Sequence, residues 1–157
     1  MTDKLASPVA PSMIAHLSRA FTAIPFNRML GLRLDHLDAE HVLMSFDMKN
    51  ELIGNFLHGI LHGGVTSSVL DMAGGMVVMT TAITEHPHAT PEELAKILGK
   101  CSTIDLQISY LRPGKGERFS AKAWIIKQGH KICFTRMELH NHTGSLIASG
   151  NGTYLIS

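Results

Sequence analysis

Only two cysteines, Cys101 and Cys133, occur in the 157 residues. They form no spaced framework. A disulfide-built secreted scaffold is therefore excluded, and both are read as reduced thiols of a cytoplasmic protein. Charge is also scarce: charged residues are 17% of the chain, and 14 basic against 13 acidic residues leave a net charge of +1. Without a basic excess there is no electrostatic footprint for nucleic acid or for an anionic membrane. The N-terminal stretch lacks a continuous apolar core and carries Pro8, Pro11 and Pro25, so no signal peptide is expected. Long apolar runs are missing too. The longest, 65–83, is interrupted by Asp71, Gly74 and Gly75 and reads as a buried helix rather than a membrane span. Of the ten histidines, the close pairs His86/His88 and His140/His142 have no third ligand at suitable spacing, so no metal site is expected. Apolar residues are plentiful, at 45%. That excludes disorder and suits a single domain over 1–157 with a substantial core.

Residues 1–11 read as a loose terminus. Ser12 reads as a helix N-cap, followed by Met13, Ile14, Leu17, Ala20 and Phe21 at helical spacing, with Pro25 ending the helix. A short turn over 26–30 is closed by Gly31. Alternation predicts strands at 32–38 and 41–48, turning at Asp38-Ala39-Glu40, and 50–60 reads as a loop. A long helix follows over 63–84, with Val65, Val69, Met72, Met76, Val77 and Met79 as core candidates. Thr90-Pro91-Glu92-Glu93 opens a second helix to about Leu98, because Thr caps, Pro suits the first position and acids suit the first turn. Four strands close the chain at 102–111, 117–128, 131–141 and 146–156. Runs of strands around one apolar helix give an α+β class, with an antiparallel sheet wrapped on that helix.

The chemistry concentrates in His62-Gly63-Gly64 and Asp71. Glycines at a helix N-terminus leave backbone N–H groups unpaired and approachable, and the helix dipole favours negative charge there, which suits an oxyanion. A carboxylate inside an apolar helix is costly unless it is paired or functional. His62 and Asp71 are nine positions apart. On one helix that is half a turn off-face and roughly 13 Å along the axis, so one small reacting group cannot touch both. If both serve one site, the second residue comes from another copy of the chain. The expectation is a dimer with two such helices antiparallel, each lending Asp71 to its partner's His-Gly-Gly.

These residues carry a resemblance. His62-Gly63-Gly64, with Leu70 and Asp71, resembles the motif of hotdog-fold acyl-CoA thioesterases of the phenylacetate-degradation (PaaI-like) group. Thr103-Ile104-Asp105-Leu106, leading to Ser109-Tyr110-Leu111-Arg112-Pro113, resembles that group's third strand and exit turn, and the segment from Ala148 to Tyr154 its closing strand. The resemblance runs from about Phe26 to the C-terminus. It implies a hotdog subunit, a homodimer sharing one sheet and its active sites, often a homotetramer, no metal or organic cofactor, and hydrolysis of an acyl-CoA to a carboxylate and free CoA. It also implies roles. The Gly63 N–H polarises the thioester carbonyl, next to Gly64 on the substrate. His62 holds the loop. Asp71 acts as general base or as nucleophile. Thr103 falls where some relatives carry a Ser that positions the water.

There are departures. Many relatives carry an Asn six positions before the His of His-Gly-Gly, where this chain has Phe56. Either Asn55 or His58 substitutes, or that polar contact is missing. The segment 85–100 is longer than usual, as a lid or as a surface insertion. Arg112, Lys115 and Arg118 cluster near turns, either holding CoA phosphates or standing as solvated charges. Met44, Met72, Met76 and Met79 suit a core or a flexible acyl tunnel equally. With 6% aromatics and a helix rich in Val, Leu and Met, a medium- to long-chain aliphatic acyl group is expected over an aryl one. The competing readings are a non-catalytic acyl-CoA-binding module on the same fold and hydrolysis of acyl carrier protein or aryl-CoA thioesters. Asp71 argues against the first, since a binder needs no base.

Overall fold

Helix α3, Gly63–Thr84, is the element around which the rest of this computed structural model is arranged; residues 11–156 are described. No proline interrupts its 22 residues, and it buries Val69, Leu70, Ala73, Met76, Val77 and Ile83. Val65 and Met72 are half-buried against the same core. By length and composition this helix would pass as a membrane span, but 61% of its apolar window is buried inside the fold, as the sequence predicts for a core helix.

Six antiparallel strands wrap it. They are β1 (Arg33–Leu37), β2 (His41–Asp47), β5 (Ser102–Tyr110), β6 (Arg118–Gln128), β7 (Ile132–Asn141) and β8 (Leu146–Leu155), with β3 (Ile53–Asn55) and β4 (Ile60–Leu61) forming a separate small hairpin. The order across the sheet is β1-β2-β6-β7-β8-β5. Alternation with period two sends Val42, Met44 and Phe46 of β2, Phe119, Ala121 and Ala123 of β6, and Met137 and Leu139 of β7 inward to complete burial. This is the α+β hotdog arrangement implied by the sequence.

Strand β5 is an edge, paired only with β8, and most of its residues are exposed. Ile104 is 52% and Tyr110 56% exposed. An unpaired apolar edge of this length is a template for another strand unless something covers it.

Helix α1, Pro11–Ala23, packs Leu17 and Phe21 into the core, and α2, Pro25–Leu30, ends at Gly31 with φ 70°, where glycine carries no steric penalty. Helix α4, Pro91–Leu98, starts at Thr90 with the full capping box and buries Leu94, with Ala89, Ile97 and Leu98 half-buried against the core, while most of the 85–100 segment is exposed.

Two local expectations are corrected. Ser12 is inside α1 and does not cap it, because Pro11 is already helical and proline suits the first turn. The rest of the expected loose terminus, 1–10, lies outside the described residues. The stretch 50–60 is not a plain loop. A 3-10 turn, Asn50–Leu52, leads into β3 (Ile53–Asn55) and β4 (Ile60–Leu61). Strands of two and three residues are too short to show alternation.

Candidate active site

The N-terminal end of α3 is built by its cap. His62 has extended backbone angles, and its Nδ1 accepts a hydrogen bond from the Gly64 N–H at 2.8 Å. In the neutral ring the proton therefore sits on Nε2, which is left as a donor on an exposed side chain. The N–H groups of Val65 and Thr66 turn back to the His62 carbonyl. Among the described residues the Gly63 N–H meets no acceptor, so it is the open donor at this end. Gly64, expected beside the substrate, donates its own N–H to His62 Nδ1.

Tyr110 closes on Gly63. Its hydroxyl donates to the Gly63 carbonyl at 3.0 Å, and its ring lies 3.3 Å from where a Cβ on Gly63 would stand. A cleft of about 330 Å³ opens here, lined by Leu61, Gly63, Tyr110, Leu111, Arg112 and Gly114 among others.

The β3–β4 hairpin braces the same end. The His62 N–H donates to the Leu52 carbonyl, and Gly54 presses so close that a Cβ there would fall 2.5 Å from His62 Cα. Asn55 sits at the hairpin turn. Its Oδ1 accepts from the Leu57 N–H at 3.1 Å, while its carbonyl accepts from His58 and Gly59. Both expected substitutes for the missing loop Asn thus lie in this turn, with the Asn55 amide oxygen spent on shaping it and His58 exposed.

The middle of α3 carries the carboxylate. Asp71 Oδ1 accepts from Thr103 Oγ1 at 2.9 Å and from the Tyr154 hydroxyl at 3.2 Å. The same hydroxyl lies 3.1 Å from the Asp71 carbonyl. Oδ2 accepts from no group among the described residues, so one oxygen is anchored and the other is open. The structure brings Thr103 and Asp71 together. Tyr154 is an addition that the sequence reading passed over. It is 2% exposed, and burial, reinforced by the neighbouring Asp71 charge, raises its pKa far above the ordinary phenol value, so it stays a donor.

Glycines make the room for that ring. A Cβ on Gly74 would fall 2.2 Å from the Tyr154 oxygen, and one on Gly152 would fall 2.5 Å from its ring. Glycine inside a helix or strand costs stability unless a neighbour needs the space, so Gly74 and Gly152 are the signal in the sequence that a large side chain lies between them. A small crevice of about 60 Å³ continues from this point, lined by Gly75, Val78, Met79, Cys101, Thr103 and Tyr154 among others.

Within one chain the two groups stay apart. His62 caps the same unbroken helix that carries Asp71, which keeps them roughly 13 Å apart along its axis. The three cations near the turns have different surroundings. Arg112 donates to the Leu146 carbonyl at 2.9 Å, Lys115 is exposed on its turn, and Arg118 pairs with Asp47 at 3.0 Å. A further cleft, of about 570 Å³ beside Glu85, His86, His88 and Lys96, contains neither Gly63 nor Asp71.

The comparisons with known proteins agree with one another. The model of the thioesterase superfamily matches residues 58–148. A medium/long-chain acyl-CoA thioesterase of Escherichia coli, YigI, is 41% identical over 133 residues, covering 85% of this chain and 86% of that protein. Human acyl-coenzyme A thioesterase 13 is 31% identical over 130 residues, covering 82% of each chain. Among solved structures, a Shewanella oneidensis protein described as related to the thioesterase superfamily superposes with a TM-score of 0.86 at 38% identity, covering 95% of this chain and all of that one.

Two predictions follow from the packing. Gly74→Ala should lower the unfolding free energy by about 1–3 kcal/mol through overpacking against Tyr154. Gly75→Ala, whose Cβ meets the ring only at 3.8 Å, should lose less, with urea midpoints deciding. The second concerns Asp47. Its hydrogen bonds to Arg33 and then Arg118 hold its pKa down from 3.8 to about 2. A depressed carboxylate adds stability above its ordinary pKa and loses it as pH falls through the folded value. Asp47→Asn should therefore flatten the melting-temperature profile between pH 3.8 and about 2. At neutral pH the change should be small, because the pair is exposed.

Proposed function

The chain belongs to the thioesterase superfamily and is a thioester hydrolase; on that premise we propose that it cleaves acyl-CoA thioesters to a free carboxylic acid and CoA, with medium- to long-chain aliphatic acyl groups as its substrates. The observation that carries this reading is the anchored carboxylate. Asp71 is held through Oδ1 by Thr103 and Tyr154, with Oδ2 open. That arrangement suits a general base or a nucleophile, because one oxygen is oriented and the other is free to take a proton or to attack a carbonyl. The chain-length reading draws on the YigI likeness and on Val78 and Met79 in the crevice beside Asp71. The two free thiols, Cys101 and Cys133, suit a reducing compartment such as the cytoplasm.

The reaction needs both halves of the site. The thioester carbonyl accepts from the Gly63 N–H at the positive end of α3, which stabilises the oxyanion that forms. In the base route Asp71 takes a proton from water as the C–O bond forms. The C–S bond then breaks, and the proton passes to the departing CoA sulfur. In the nucleophile route Asp71 attacks the carbonyl itself, releases CoA, and water cleaves the resulting anhydride.

Because Gly63 and Asp71 are separated along one helix, the site is completed by a second copy in a homodimer. Three features support this. The α3 face bearing Asp71, Gly75 and Met79 is only half-buried, the β5 edge is unpaired, and Phe56 and Leu57 are 86% and 75% exposed on the β3–β4 turn. Two β5 edges joined would continue one sheet across the pair, with the two α3 helices antiparallel beneath it. A homotetramer would be a further pairing of such dimers.

Thiol release from acetyl- to palmitoyl-CoA and from aryl-CoAs tests this. Asp71→Ala should abolish turnover with the dimer intact, and loss of all turnover in the wild type with acyl-CoA still bound would favour the binding module. Mixing inactive Asp71→Ala with inactive Gly63→Val chains should restore about a quarter of wild-type activity. Half of the exchanged dimers are mixed, and each has one intact site. No recovery after verified exchange would place both groups in one chain. Tyr154→Phe should lower kcat by about tenfold with KM little changed, the worth of one hydrogen bond to the reacting carboxylate.

A further inference from the structure

A second cluster of chemistry-bearing side chains lies at the β1–β2 turn, in residues the hydrolase reading does not use. One nitrogen of His36, one carboxylate oxygen of Asp38 and one nitrogen of His41 all lie within 4.8 Å of one another. His36 Nε2 is 2.7 Å from Asp38 Oδ2, and His41 Nδ1 is 3.1 Å from Asp38 Oδ1. The two imidazole rings stack with centroids 4.6 Å apart.

The fold sets up this convergence. The β1–β2 register steps from Leu34 opposite Met44 to His36 opposite Leu43, so Asp35 is an extra, bulged residue. In a regular strand His36 would share the inward face of Leu34, and Leu37 would point out. The bulge reverses the phase. Leu37 becomes buried and His36 comes out on the face that His41 shares. Re-aiming a side chain in this way is a known use of bulges. Asp38 is oriented as well, because its Oδ1 accepts the backbone N–H groups of Glu40 and His41, both at 2.8 Å.

We propose that His36, Asp38 and His41 bind one late first-row divalent cation of the zinc class, with water completing the coordination. Two imidazoles and a carboxylate suit zinc, nickel or copper over magnesium or calcium, which prefer all-oxygen ligands. Ligands on a tetrahedral zinc at about 2.0–2.2 Å stand about 3.3 Å apart. The His–Asp separations are those of hydrogen bonds and the two imidazole planes stand 22° apart, so a bound cation takes the place of those hydrogen bonds and the side chains turn until their donor atoms face one ion. All three are exposed enough to do so, at 37–48%. The two backbone donors on Asp38 hold the carboxylate for the metal as supporting hydrogen bonds do at known sites.

This site is separate from hydrolysis. The Ala39 carbonyl meets Thr81 Oγ1 at 3.4 Å. Thr81 lies ten residues beyond Asp71 on α3, about 15 Å along the axis. The turn is therefore fastened near the far end of the helix from His62.

The chain carries its own probe. Trp124, the single tryptophan, stands directly opposite His41 across β2 and β6. Residues so paired have Cβ atoms about 4.5–5.5 Å apart, so bound Cu²⁺ should quench its emission. In the full chain we expect one Zn²⁺ per chain by calorimetry, Cu²⁺ quenching of Trp124, and relief of that quenching by Zn²⁺. His36→Asn and Asp38→Asn should each weaken Zn²⁺ binding at least about tenfold, since loss of a mere supporting partner costs 10–100-fold. Asp38→Asn keeps an amide oxygen for the turn, so its loss of binding is separable from unfolding, which circular dichroism checks. A His86→Asn/His88→Asn double variant should bind Zn²⁺ as the wild type does, and His36→Asn should hydrolyse substrate normally. Absence of saturable one-per-chain binding, or binding that survives both His36→Asn and Asp38→Asn, overturns the proposal.

Discussion

The hydrogen bonds that fix Asp71 are the constraint on which the rest of the site depends. A carboxylate on a core helix has to be matched by donors, and the nearest apolar neighbours cannot supply them. Thr103 reaches it from the edge strand β5, and Tyr154 reaches it from β8, so two adjacent strands meet one helix at a single oxygen. The cost of bringing a whole tyrosine ring into that space appears elsewhere, as Gly74 in α3 and Gly152 in β8, where any side chain would collide with it. Replacing either glycine would therefore act on the carboxylate through the ring, without touching Asp71 itself.

The end of the helix obeys a different rule. Its first N–H groups have no partner within the helix, and the chain satisfies all but one. His62 caps Gly64, and the His62 carbonyl takes Val65 and Thr66. Gly63 is left over, with the Tyr110 hydroxyl donating to its carbonyl. The cap thus does two things at once. It stabilises the start of α3 and leaves one donor open, the one to which the proposed reaction assigns the thioester oxygen.

Much of this was legible in the sequence, and the exceptions have physical reasons. The long helix, the four closing strands and the capped α4 announce themselves because periodicity is sustained and their ends carry Pro, Thr or Gly. Thr103 and Asp71 were named before their contact was known. Tyr154 was not singled out, because an aromatic in an alternating strand reads as ordinary core, and only the glycines facing it mark it out. The β3 and β4 strands are shorter than any period that could reveal them. The grouping of His36 with His41 was hidden more thoroughly. Strand alternation puts them on opposite faces unless a residue is inserted, and Asp35 shows its bulge only in the pairing register. For the same reason spacing in the sequence points to His86/His88 and His140/His142, which lie close together along the chain, and not to the three residues that the bulge brings together.

Electrostatics gives the last reason to read the chain as half of a site. Thr103 and His62 are exposed, and Asp71 is only half-buried. An anchored carboxylate and a single amide donor do little against bulk water, because charge interactions weaken as the local dielectric rises. The same groups become effective when water is excluded and the donors are already oriented. In the proposed dimer, covering the α3 face and the β5 edge would remove exposed apolar surface and dry the site in one step. The half-buried α3 face carries Asp71 itself, so in that dimer association and catalysis would draw on the same contact.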